Sequence, residues 1–413
     1  MKRFLRMLLD RPTLSNDAHT NISTEDLRTI LDRATSSGRL KGVVALVADH
    51  NGILFQHASG EARDSVSMQS DMLFNIASMT KLVTTIAVLQ RVEAGDLDLD
   101  VPVDRYLPEL GSIQVLGGFT EDGSPELRPA RSVPTARELL THTSGFVYEV
   151  WNAKAFEALQ LGLVQSLFSG RPALDAPLAF DPGERWEYGI GIDWAGLLLE
   201  AVSGENLMGY FSSHIFARLA MRDTAFDIPA VKMDRAMTRY GRGPDGLTEL
   251  PEQAAPSLYE STRFYNGGGG LTSTVADYGR LLRALLNGGE LDGQRILNAS
   301  TVDQMFSNQI GELDAGVSDT QIPSVSNRID MAFGAPGRWG LGFLIHPEGT
   351  RNGRKAGSAS WGGIFNTYYW VDRASDVCAI LATQILPFYD QGMISVLEEF
   401  ERSVYAVDED RSI

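Results

Sequence analysis

A single cysteine, Cys378, stands in 413 residues. No disulfide can therefore form within the chain, and no cage of cysteine thiolates can hold a structural zinc. No run of about 18 apolar residues occurs, so no segment is a candidate transmembrane helix. Basic residues are scarce beside acids, 36 Lys and Arg against 53 Asp and Glu, for a net charge of −17. That balance disfavours nucleic acid and anionic membrane surfaces as partners, since both are bound through clustered Lys and Arg. Several catalytic signatures are missing as well. There is no Gly-x-Ser-x-Gly elbow of an α/β-hydrolase, no His-Glu-x-x-His metal helix and no Gly-x-x-x-x-Gly-Lys phosphate loop. The opening stretch, Met1 to Asp10, is basic and then apolar, but Arg6 breaks it and Asp10 ends it. It is too short for the core of a secretory signal. With the lone thiol, this points to the cytoplasm.

What is present is an ordinary globular composition, 43% hydrophobic and 22% charged, long enough for two domains or one large one. Residues 24–37 carry an apolar face of Leu27, Ile30, Leu31 and Ala34 behind a Thr24 cap, which predicts a helix. Residues 42–48 read as a buried strand, and His50-Asn51-Gly52 as the turn into a returning strand at Ile53. A helix from Ser78 to Ala94 follows, with Leu82, Ile86 and Leu89 on one stripe and Gly95 placed to end it. Residues 100–265 are loop-rich, with short helices at 134–140, 193–202 and 207–219. Helix and strand then return: a helix at 274–286, strands at 339–345, 367–372 and 377–384, and a terminal amphipathic helix at 391–405. Neither end has enough strands alone, so the two ends are expected to share one antiparallel sheet. The expected division is an N-terminal extension at 1–23, an α/β sheet domain from 24–100 and 267–413, and a mostly helical domain at 101–266.

Three stretches carry reactive groups. Ser78-Met79-Thr80-Lys81 places a hydroxyl and an amine three residues apart on one helical face. Ser78 also falls at the helix start, where unpaired N–H groups favour a developing oxyanion. A serine hydroxyl is inert until a base takes its proton, and a buried lysine can be that base or tune it. Tyr188 follows Asp181-Pro182-Gly183 in an aromatic loop, and a tyrosine beside an ammonium becomes a usable base. Trp361-Gly362-Gly363-Ile364 leads to the 367–372 strand, with glycines that admit close backbone approach. His142, Asp98, Asp100, Asp104 and Cys378 read as structural. The run Gly267 to Gly270 reads as a tight turn, not as a dinucleotide site.

Taken together, Ser78-x-x-Lys81, Tyr188 after Asp181-Pro182-Gly183, and Trp361-Gly362-Gly363 resemble the family VIII carboxylesterases of the serine β-lactamase/penicillin-binding-protein superfamily. Residues 139–145, 266–271 and 365–372 extend the resemblance to nearly the whole chain. It is similar also to the fungal lovastatin acyltransferases. The resemblance implies an α+β fold of the β-lactamase/transpeptidase type, with an antiparallel sheet flanked by terminal helices and a helical domain inserted. It implies a serine esterase acting on short-to-medium acyl esters through an acyl-enzyme. Ser78 would be the nucleophile, and Lys81 and Tyr188 the coupled base. The N–H groups of Ser78 and Ile364 would form the oxyanion hole, and Trp361, Gly362, Gly363, Tyr148 and Trp151 would contact substrate. The expected partner is a small-molecule ester, with no metal and no cofactor. Acyl transfer to an alcohol is the alternative, followed by weak β-lactamase or D,D-peptidase activity. A catalytically dead binding protein is the alternative outside enzymes.

Two departures bear on substrate. Class C β-lactamases carry Tyr-x-Asn, where this chain has Tyr188-Gly189-Ile190. They also carry Lys-Thr-Gly, where this chain has Trp361-Gly362-Gly363, the nearby Lys355-Ala356-Gly357 lying further from the strand. Both losses favour simple esters over β-lactams.

Overall fold

The computed structural model describes residues 22–169, 171–251 and 264–406. The expected N-terminal extension lies almost wholly outside these residues. The central element is an eight-stranded sheet: β1 (Gly42–Ala48), β2 (Ile53–Arg63), β3 (Val66–Ser67), β4 (Arg338–Trp339), β5 (Leu344–His346), β6 (Ser358–Gly363), β7 (Thr367–Asp372) and β8 (Val377–Ala382). Its order is β4-β5-β6-β7-β8-β1-β2-β3. β1 pairs antiparallel with β8, Val44 opposite Ala382 and Ala48 opposite Cys378. One sheet is thus built from both ends of the chain, as the strand count required. The segment read as one strand at 339–345 is instead the hairpin of β4 and β5, with Trp339 paired to Leu344.

Every residue of β1, β6, β7 and β8 is buried, because helices cover both faces and no side of these strands meets water. Neighbouring residues of β7 show the alternation of a strand. The Tyr369 ring lies 5.4 Å from that of Tyr278 in α7 (Val275–Leu286) on one face. The Trp370 ring packs against Phe400 of α9 (Gln391–Tyr405) on the other. α1 (Thr24–Ser36) lies beside α9 and buries the predicted face, Leu27, Ile30, Leu31 and Ala34. Its cap is Ser23, one residue earlier than expected, whose hydroxyl accepts from Asp26 N–H. A buried ion pair ties α9 to the segment before β6. Arg354 donates twice to Glu401, at 2.9 and 2.8 Å, and both side chains are essentially inaccessible.

The middle of the chain supplies α3 (Ala136–Thr141), α4 (Ala153–Gln160), α5 (Gly191–Ser203) and α6 (Leu207–Phe211). α2 (Thr80–Glu93) is buried all round over its first ten residues, not along a single stripe. It lies among α5, α6 and the Gly267–Gly270 run. Its polar groups are satisfied inside: Thr84 Oγ1 donates to Gly267 O at 2.6 Å and Thr85 Oγ1 to Lys81 O at 2.8 Å. The strands Tyr240–Gly243 and Gly246–Glu249 form a hairpin whose first strand pairs in parallel with Ile385–Leu386. The middle of the chain is therefore stitched to its C-terminal part. Among the described residues no helix is long and apolar enough to cross a membrane.

Candidate active site

Ser78 lies in a short 3-10 turn, Ala77–Met79, that runs into α2. The regular helix starts at Thr80, two residues later than the sequence suggested. Ala77 adopts φ +43°, a left-handed conformation that costs a residue with a Cβ roughly 1–2 kcal/mol. The turn is pressed against the end of β6. A Cβ on Gly363 would sit 2.3 Å from Ile76 O, and one on Gly362 2.8 Å from the Tyr368 ring. Gly362 and Gly363 lie inside a strand, not ahead of one, and the bare Cα of Gly363 lets that strand approach the backbone that carries Ser78. Gly363→Ala is expected to push this turn away from β6, destabilising the fold by about 1–3 kcal/mol and depressing turnover. Thermal melting beside ester hydrolysis measures both.

Lys81 is 1% exposed and makes three hydrogen bonds. Its Nζ donates to Gly268 O at 2.6 Å, to Tyr148 OH at 3.0 Å and to Ser78 Oγ at 3.2 Å. A carbonyl oxygen can only accept, so the first position holds an N–H. The Tyr148 hydroxyl gives its own proton to Asp193 Oδ2 at 3.1 Å, so the second position holds an N–H too. The third valence of the amine is thereby aimed at Ser78 Oγ. It carries an N–H when Lys81 is an ammonium and a lone pair when Lys81 is an amine.

Asp193 is buried at the start of α5. Burial pushes its carboxyl up, while the positive charge at Lys81 pulls it down. Tyr148 is held far above the ordinary tyrosine value, first by burial and then by the Asp193 charge, so it stays a phenol. The glycine run explains itself here: a Cβ on Gly268 would fall 2.2 Å from Asp193 Oδ2. Gly268 and Gly269 line the cavity, a role beyond that of a tight turn.

Tyr188 packs beside Tyr148, the two ring centroids 5.3 Å apart, with Lys81 Nζ 4.9 Å from the Tyr188 centroid. Its oxygen accepts from Trp361 Nε1 at 3.2 Å. An N–H in that place is set to stabilise charge arising on the phenol oxygen as a proton moves. The loop bearing Tyr188 is fixed at several points. Glu187 N–H donates to His142 O at 3.0 Å, Gly189 N–H donates to His142 Nδ1 at 3.3 Å, and Gly183 N–H donates to Thr143 O at 2.8 Å. Arg128 and the Arg131 N–H hold the Asp181 carboxyl down at about 2. His142 ends α3 at φ +59°. Burial, and then the charge at Lys81, keeps its ring far below the usual histidine value. It is a neutral, structural acceptor, the role assigned from sequence.

Ser78 opens onto a narrow cavity with about 40 Å³ of water-accessible space, to which Tyr148, Trp151, Ile190, Asp193, Asn266 and Ile364 also contribute. Of the five residues expected to contact substrate, Tyr148 and Trp151 line this cavity. Trp361, Gly362 and Gly363 are not among its lining residues. Trp361 is 1% exposed and lies behind Tyr188, because its indole N–H is spent on the phenol. Tyr148 is more than a wall, since its hydroxyl orients Lys81. Asp193 and Asn266 were not singled out as site residues. Ile190, at the position of the class C asparagine, presents an apolar side chain to the cavity. A Cβ on Gly189, the residue between, would meet Phe146 O at 2.1 Å.

Among the described residues one grouping, Asp49, His50 and Asp376, brings ligand-type atoms within 4.8 Å. Asp49 Oδ1 already accepts the N–H groups of Asn51 and Gly52 in the β1–β2 turn. Cys378 is buried, which pushes its thiol up.

Comparison with known proteins agrees with this geometry. The chain is 31% identical over 401 residues to monacolin J acid methylbutanoyltransferase of Aspergillus terreus, covering 92% of this chain and 95% of the relative. It is 31% identical over 399 residues to lovastatin esterase of Penicillium rubens, covering 91% and 97%. The solved structure of simvastatin synthase from Aspergillus terreus superimposes with a TM-score of 0.79 at 29% identity, covering 93% of this chain and 98% of that one. The profile of the beta-lactamase family matches residues 27–394, and the chain belongs to that family.

Proposed function

We propose that this protein is a serine enzyme of ester acyl transfer, working through an acyl-enzyme on Ser78. The observation that carries this is the Lys81 amine, oriented by Tyr148 and Gly268 so that its remaining valence meets Ser78 Oγ at the mouth of a cavity. Ser78 Oγ attacks the ester carbonyl, and its proton passes to the pair formed by Lys81 and Tyr188. The pair then protonates the leaving alcohol. The N–H groups of Ser78 and Ile364, two residues that face the same cavity, stabilise the oxyanion, a donor of this kind being worth about 3–4 kcal/mol. Water reuses the pair to release the acid, which makes the enzyme a carboxylesterase.

The relatives include one protein named a methylbutanoyltransferase and one named an esterase, so transfer to an alcohol is the second reading. The two differ in the acceptor that reaches the acyl-enzyme. Hydrolysis of a p-nitrophenyl ester in the presence of a small alcohol separates them. An esterase partitions almost wholly to free acid, and a transferase forms the new ester in excess at modest alcohol concentration. Absence of Ser78-dependent turnover in either direction would remove both. The site is assigned to a small-molecule ester at the junction of the sheet domain (24–100 and 267–413) and the helical domain (101–266), and the protein to the cytoplasm.

A further inference from the structure

A second apolar chamber adjoins the Ser78 cavity. It shares Leu167, Ala173 and Ile190 with that cavity, and beyond them it is bounded by Ala155, Ala158, Ala176 and others. Ser78 borders only the first chamber. The second has a structural origin. Val147, Ala179 and Phe180, with Ala155 packed on them, form a small apolar cluster separate from the main core. The chamber lies where that cluster and the core fail to close on each other, and small side chains line much of the gap. Its buried carboxyl, Glu149, is occupied, accepting from Ser166 Oγ at 3.0 Å and Leu167 N–H at 2.8 Å. Burial also pushes that carboxyl up. Ile190, with Leu167 and Ala173, lies where the two chambers meet.

We infer that the second chamber receives the tail of the acyl group, so that the preferred substrates are esters of unbranched medium-chain acids and not acetates. This rests on the acyl-enzyme reading and deepens it. The acyl group stays bonded to Ser78 through both half-reactions, whereas the alcohol must leave before the next acceptor enters. An inner chamber therefore suits the group that stays. Each methylene that leaves water for an apolar wall raises kcat/KM about fourfold.

The test is a series of p-nitrophenyl esters from acetate to octanoate, run on the wild type and on Ala155→Phe and Ala176→Leu. Both positions are half-buried, and both border only the second chamber. In the wild type, kcat/KM for octanoate should exceed that for acetate by about tenfold or more. Either folded variant should lose about tenfold on octanoate while holding acetate within about twofold. A wild-type profile that is flat or falls with chain length overturns the inference, and so does a folded variant that leaves the octanoate preference intact. The same holds if lengthening the alcohol of an acetate ester, instead of the acid, gives the gain. Ser78-dependent turnover with a flat profile removes only the chamber assignment. Turnover that survives Ser78→Ala removes the acyl-enzyme reading itself.

Discussion

Ser78→Ala is expected to lower turnover of a short p-nitrophenyl ester by about 10⁴-fold or more, leaving the melting temperature near that of the wild type. The rate loss follows from removing the one oxygen that, in the proposed mechanism, bonds to the acyl carbon. The amine, the phenol and the backbone donors then have no nucleophile to assist. Stability should hold because the side chain is small and half-exposed to the cavity. The Lys81 amine keeps its bonds to Gly268 O and Tyr148 OH. A Ser78→Ala, Lys81→Ala double variant should be scarcely slower than Ser78→Ala alone, because groups that act as a unit do not contribute additively. Steady-state kinetics with thermal melting measures all of this. A variant that retains near wild-type turnover would put the nucleophile elsewhere.

The second large effect separates two neighbouring tyrosines that both lie near one amine, their ring centroids 5.3 Å apart. Tyr148 gives its proton to Asp193 and is held as a phenol by burial and by that carboxyl's charge. It orients Lys81. Tyr188 instead presents an oxygen that accepts from Trp361, an arrangement suited to an atom that gains charge in a proton transfer. Tyr188→Phe should therefore reduce kcat by about 10²–10⁴-fold, the usual worth of a positioned acid–base group. Tyr148→Phe should reduce it less, about tenfold. It should also cost about 1–3 kcal/mol of stability, since Asp193 loses a donor and Lys81 an acceptor in a buried site. The reverse ranking of the two rate losses would move the base to Tyr148 and leave Tyr188 as a packing residue.

How legible the site is in the sequence depends on how local each contact is. Ser78 and Lys81 are three residues apart on one turn, and spacing alone brings them together. Tyr188 and the Trp361-Gly362-Gly363 stretch are distant in the chain: their chemistry makes each a candidate, and the resemblance is what groups them with Ser78 and Lys81. Asp193 looked like an ordinary helix start, because nothing local says that its carboxyl reaches a phenol 45 residues earlier in the chain. Gly268 looked like a turn residue. Its need for a bare Cα becomes visible only once Asp193 is packed on it.

Trp361 carries the opposite lesson. A tryptophan near a site suggests a substrate wall, but an indole N–H inside a dry core needs an acceptor, and the one it finds is Tyr188. The sheet joining both chain ends was legible from strand count. The burial of α2 on every side was not, because its Thr84 and Thr85 mask the pattern until their partners are known.

The central claim is a covalent ester between substrate and one named hydroxyl. Quenching the enzyme in acid during turnover of a p-nitrophenyl ester, followed by mass measurement of its peptides, tests this directly. The peptide containing Ser78 should gain the mass of one acyl group, and the gain should vanish in Ser78→Ala. An acyl group on another residue, or turnover with no acylated peptide and no initial burst of p-nitrophenol, would contradict the account.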